Sequence, residues 1–100
     1  MYTVEFIKEK TIPVAESYGI KSMSLFGSYA RGEADDDSDV DLLIDKGNLQ
    51  GLIQYFSFVH ELEDSLSCHV DVVTTGINDK EFLNKISGEE ILLYEKRFNG

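Results

Sequence analysis

The sequence predicts an α/β fold, a small mixed β-sheet of three or four strands with helices packed on it. Two stretches repeat their apolar residues at helical spacing, three short stretches alternate them with period two, and 100 residues leave room for a single core. The first helix covers about residues 3–18, where Val4, Ile7, Ile12, Val14, Ala15 and Tyr18 recur between Glu5, Lys8, Glu9 and Glu16. Gly19 follows as its C′ residue, and Pro13 either kinks the helix or begins a second segment of it. Residues 20–26 form a strand, with Met23 and Leu25 alternating with Ser22 and Ser24. It ends at Gly27-Ser28, and Tyr29 to Gly32 continue as one helical turn.

The acidic stretch 32–38 is a loop, and the second strand, 39–45, emerges from it. Val40, Leu42 and Ile44 face one side of that strand, and Asp39, Asp41 and Leu43 the other. Residues 49–66 form the second long helix, with Leu49, Leu52, Ile53, Phe56, Val59, Leu62 and Leu66 on one arc opposite Gln50, Gln54, Ser57, Glu61 and Asp64. Tyr55 and Phe58 flank that arc and are assigned to the core. In strand 69–74, Val70 and Val72 oppose His69, Asp71 and Val73. Residues 76–87 read as a turn and short helix capped by Asn78 or Asp79, and 91–94 as an edge strand before a frayed Lys96-Arg97 tail. Both long helices are expected on one side of the sheet.

Composition narrows the function. Nine basic against 19 acidic residues give a net charge of −10, which disfavours direct binding to nucleic acid or anionic membranes. An apolar content of 42% is too high for a disordered acidic tail. Cys68, the only cysteine, allows no intramolecular disulfide, and the charged opening MYTVEFIKEKTIPV does not read as a signal peptide, so a cytoplasmic location is expected. No apolar run is long enough to cross a bilayer.

Asp39 and Asp41, two apart on a strand, project from the same face about 7 Å apart along the backbone. A divalent cation would turn their repulsion into ligation, and hard oxygen donors suit Mg²⁺ or Mn²⁺. Taken alone, the pair equally fits two solvated acids at a loop edge. Gly27-Ser28, at a strand-to-helix junction, fits a phosphate cradle of backbone amides and one hydroxyl, or a turn glycine with an N-cap serine. Arg31 could neutralise triphosphate charge or make surface ion pairs with Glu33 and Asp35. The run Asp35-Asp36-Asp37 is a solvated loop whose charge can draw Mg²⁺ inward. Cys68, His60 and His69 lack zinc-type spacing and are assigned structural roles.

Together, Gly27-Ser28, ten further residues and Asp39-Val40-Asp41 make a G-S-x10-D-x-D arrangement within LFGSYARGEADDDSDVDLLID. In this the chain resembles nucleotidyltransferases of the polymerase-beta superfamily and, at this length, their minimal nucleotidyltransferase (MNT) family. The layout extends over nearly the whole chain, with the diagnostic residues in 26–44. The resemblance implies a polymerase-beta-like fold in one domain, 1–100, and a third carboxylate on a later strand, for which Asp71 is the candidate. It further implies that Asp39 and Asp41 bind two Mg²⁺ ions, with Mn²⁺ as an alternative, and that Gly27, Ser28 and Arg31 contact the nucleotide. Asp71 would complete the second metal site and assist deprotonation of the attacking hydroxyl.

The implied activity is that of an antitoxin transferring AMP from ATP to a tyrosine of a HEPN-family toxin, in a hetero-oligomer with it. Two alternatives stay open: a small-molecule nucleotidyltransferase of the aminoglycoside-modifying kind, disfavoured by the missing substrate domain, and an antitoxin that acts by binding alone, disfavoured by the intact acidic residues.

Overall fold

The computed structural model describes residues 2–74 and 90–96. In chain order the elements are α1 (Val4–Ser17), β1 (Ser22–Phe26), α2 (Gly27–Arg31), β2 (Val40–Asp45), α3 (Gly51–Leu66), β3 (Val70–Thr74) and β4 (Ile91–Glu95). The four strands form one mixed sheet in the order β3-β2-β1-β4. β1 pairs antiparallel with both β2 and β4, and β2 pairs parallel with β3. The expected edge strand is thus present as β4. Lys96 is held rather than frayed, its N–H donating to the Lys21 carbonyl at 2.8 Å. The turn and helix expected over 76–87, and Arg97, lie outside the described residues.

α1 begins where Thr3 accepts a hydrogen bond from the Phe6 N–H at 3.0 Å, which satisfies one of the donors left open in a first helical turn. It runs through Pro13 as one segment, Pro13 lying on its exposed side. Its buried stripe of Ile7, Thr11, Val14 and Ala15 packs with α3 over the Val40, Leu42 and Ile44 face of β2 and over Met23 and Leu25 of β1. The Thr11 hydroxyl, the buried polar group of this stripe, donates to the Ile7 carbonyl at 2.7 Å.

α3 departs from the expected arc. Phe58 is fully buried beside Leu62 and Leu66, as its assignment to the core requires, whereas Leu52, Ile53 and Phe56, expected on the buried arc, are 71%, 84% and 63% exposed. The helix is apolar around most of its first two turns, so periodicity admits more than one rotation. Packing selects the stripe on which Tyr55, Phe58, Leu62 and Leu66 follow one another at three- and four-residue steps. Phe58 meets Tyr18 of the α1 C-terminus edge-on at 5.4 Å, and the Tyr55 hydroxyl donates to the Val72 carbonyl at 3.0 Å, tying α3 to β3. At the other end of α3, the Tyr2 hydroxyl donates to the Leu66 carbonyl.

Candidate active site

Strand register assembles the site. Asp41 stands opposite Phe26 in the antiparallel pair and opposite Asp71 in the parallel pair, so β2 carries its carboxylate between the end of β1 and the edge strand β3. Just before this pairing, the Val40 N–H donates to the His69 carbonyl at 3.2 Å, which holds the backbone of Asp39 and His69 together immediately ahead of their strands. Asp39 thus stands immediately before β2 rather than within it.

A tight turn delivers Asp39. The Asp35 N–H donates to Ser38 Oγ at 2.9 Å, Asp35 Oδ1 accepts from the Asp37 N–H at 2.9 Å, and the Ser38 N–H donates to the Asp35 carbonyl at 3.1 Å. Asp35, Asp36 and Asp37 are all exposed, as a solvated loop requires.

Gly27 opens α2 directly from the end of β1, with φ at 74°. A Cβ at this position would lie 2.2 Å from Asp41 Oδ2, so the backbone and the carboxylate are in direct apposition. Ser28 follows, half-buried, and its carbonyl accepts the Glu33 N–H at 2.9 Å. Arg31 Nε donates to Glu33 Oε2 at 3.1 Å, the ion pair the sequence allowed, and its positive charge also acts on Asp41.

Like charges are crowded here. Partial burial pushes the Asp41 carboxyl above its ordinary range, the neighbouring Asp71 and Asp39 charges push it further, and Arg31 opposes the shift. Among the described residues, Asp39, His69 and Asp71 bring one potential ligand atom each to within 4.8 Å of one another. Asp41 lies deeper, half-buried, and feels the charges of both Asp71 and Asp39. A set of carboxylates held together against their own repulsion suits a divalent cation.

His69, assigned a structural role from sequence, therefore stands inside the cluster. Its Nε2 is 3.1 Å from Asp71 Oδ1 and its Nδ1 is 3.0 Å from Glu63 Oε2 on α3. The hydrogen bond to Asp71 holds the imidazole above its ordinary pKa, burial opposes this, and the surrounding acids reinforce it. A signal existed, because His69 and Asp71 share one side of an alternating strand. Glu63 carried none, since its reach depends on how α3 packs. Cys68 and His60 keep the roles expected of them: burial pushes the Cys68 thiol up, and His60 makes an exposed contact with Asp64 at 3.5 Å. No described helix is long and apolar enough to cross a membrane.

Comparison with known proteins agrees with this fold. Residues 9–99 match the family model described as polymerase beta nucleotidyltransferase. A Methanocaldococcus jannaschii protein named as a candidate protein adenylyltransferase is 34% identical over 92 residues, spanning 90% of this chain and 91% of its own. The protein adenylyltransferase MntA of Thermococcus cleftensis is 41% identical over 58 residues, 58% of this chain and 59% of its own. In fold, the chain is similar to a structure of a tri-AMPylated Shewanella oneidensis HEPN toxin in complex with MNT antitoxin, with a TM-score of 0.70 at 17% identity over 94% of this chain and 74% of that one. The family match takes in all the described strands and the positions of Gly27, Asp39, Asp41 and Asp71, and the chain belongs to the polymerase beta nucleotidyltransferase family, alongside small protein adenylyltransferases.

Proposed function

We propose that this chain transfers AMP from ATP to a tyrosine hydroxyl of a HEPN-family toxin and so acts as its antitoxin. The observation that carries this reading is the convergence of Asp39, Asp41 and Asp71 beside the Gly27 junction, where Asp41 is in register with both Phe26 and Asp71. The names of the relatives supply the class of acceptor.

In this mechanism the backbone at Gly27 and the Ser28 hydroxyl receive phosphate oxygens, and Arg31 adds positive charge on the same side. Asp39, Asp41 and Asp71 are the residues that would hold two Mg²⁺ ions, or Mn²⁺ in their place. When bound, such ions neutralise triphosphate charge and favour in-line displacement. Asp71, exposed on the edge strand, takes the proton from the attacking hydroxyl. The new bond joins the acceptor oxygen to the α-phosphorus, the bond from that phosphorus to the bridging oxygen breaks, and pyrophosphate leaves.

In this reading the domain, 1–100, works in the cytosol as part of a hetero-oligomer with its toxin, which provides a wall around the acceptor. Incubating the two proteins with ATP and Mg²⁺ and weighing the intact toxin tests the reading directly. A mass gain of one or more AMP units is expected, and an unmodified toxin bound to active, folded chain would overturn it.

A further inference from the structure

The cluster contains a donor that three carboxylates do not account for. His69 stands immediately before β3, two residues from Asp71, and its backbone is bonded to Val40, next to Asp39. Its Nε2 points at Asp71 Oδ1 from 3.1 Å, and the ligand atoms of Asp39, His69 and Asp71 lie within 4.8 Å of one another. Opposite donors around one small divalent ion are about 4.2 Å apart, so small rotations of these exposed side chains would bring them into range.

The ring is also held from behind. Glu63 Oε2 lies 3.0 Å from His69 Nδ1 and accepts the Val70 N–H at 3.2 Å, so α3 and the β3 backbone together fix the imidazole. An ionised carboxylate only accepts hydrogen bonds, so Nδ1 donates to Glu63 and Nε2 to Asp71 in the metal-free chain, and a cation bound through Nε2 would take the place of the proton on that nitrogen while Nδ1 stays bonded to Glu63. A carboxylate behind a histidine is the arrangement that orients imidazoles bound to metal ions.

We propose that His69 joins Asp39 and Asp71 as a ligand of the divalent cation through Nε2, positioned by Glu63, and that this nitrogen donor biases the site toward Mn²⁺ over Mg²⁺. The inference rests on the metal-dependent nucleotidyltransferase reading and adds a residue and an ion preference to it. Nitrogen donors suit Mn²⁺ better than the harder, more strictly oxygen-seeking Mg²⁺.

The full chain, titrated with Mn²⁺ alone, provides the test by electron paramagnetic resonance. Bound Mn²⁺ should show nitrogen coupling in the electron spin-echo modulation, and His69→Ala should remove it. Mn²⁺ affinity should fall about tenfold in His69→Ala and in Glu63→Gln, with Mg²⁺ affinity falling less than about threefold in His69→Ala. Mn²⁺ that binds wild type without nitrogen coupling, yet loses affinity in Asp39→Asn, would overturn the role of His69 and leave the metal reading standing. Wild-type chain that binds neither ion would overturn both. The coupling is read on the wild-type protein, so the outcome does not depend on whether any variant folds.

Discussion

Gly27 meets two demands at one position, a positive φ and the absence of a Cβ that would press on Asp41 Oδ2 from 2.2 Å. Gly27→Val should therefore abolish transfer in protein that still folds, whereas Ser28→Ala, which deletes one hydroxyl, should slow it by about tenfold. Steady-state transfer rates on the two variants decide the order. Asp41 makes a second prediction. Its folded-state pKa lies above the ordinary value, so as pH rises through that interval the unfolded chain has released its proton while the native chain still holds one. Stability falls across this window and stays lower above it. Metal-free Asp41→Asn should accordingly melt a few degrees above wild type at neutral pH, since about 1 kcal/mol moves the melting temperature of a domain this size by about 4–8 °C. The advantage should vanish once the pH drops below the ordinary carboxylate range, where both forms are neutral, and differential scanning calorimetry at the two pH values checks the sign.

At the scale of elements, α3 does two jobs with its buried stripe and the residues beside it. Phe58, Leu62 and Leu66 seal the core, and Tyr55 and Glu63 reach down to β3, to Val72 and to His69. Phe58→Ala should cost about 3–5 kcal/mol, because a fully buried aromatic leaves a cavity. Phe56→Ala, at an exposed position two residues away, should stay within about 0.5 kcal/mol. Urea unfolding of the pair separates the observed rotation of α3 from the one that its apolar pattern suggested, for which Phe56 would be the costlier loss. The parallel β2–β3 pair has an equally specific role, since only its register brings Asp71 to Asp41 and His69 to Asp39.

Across the whole molecule, a net charge of −10 sits on a chain whose proposed acceptor is another protein. A toxin with a basic surface would be steered to this chain by that charge. Association should slow by at least about tenfold from low to high salt, with dissociation changing less, as stopped-flow measurements would show. In cells, Asp39→Ala combined with Asp41→Ala should still bind the toxin and fail to neutralise it. Full neutralisation by that double variant at equal expression would mean that occlusion of the toxin, not transfer, does the work. Efficient adenylylation of an aminoglycoside by the purified chain would instead point to a small-molecule acceptor.

The sequence by itself determined what depends on local spacing. Gly27-Ser28 and Asp39-x-Asp41 at their separation, the alternation that puts Val40, Leu42 and Ile44 on the core side, and Asp71 opposite Val70 and Val72 were all legible, because strand periodicity assigns faces without reference to any partner. The tertiary structure alone decided which of several apolar faces α3 buries, since a helix that is apolar around most of its first two turns takes its rotation from the sheet beneath it. It also decided that Glu63 stands behind His69, and that the Gly27 backbone abuts the carboxylate of Asp41. Those meetings join residues far apart in the chain, and they are set by strand register and helix packing, which no short stretch of sequence contains.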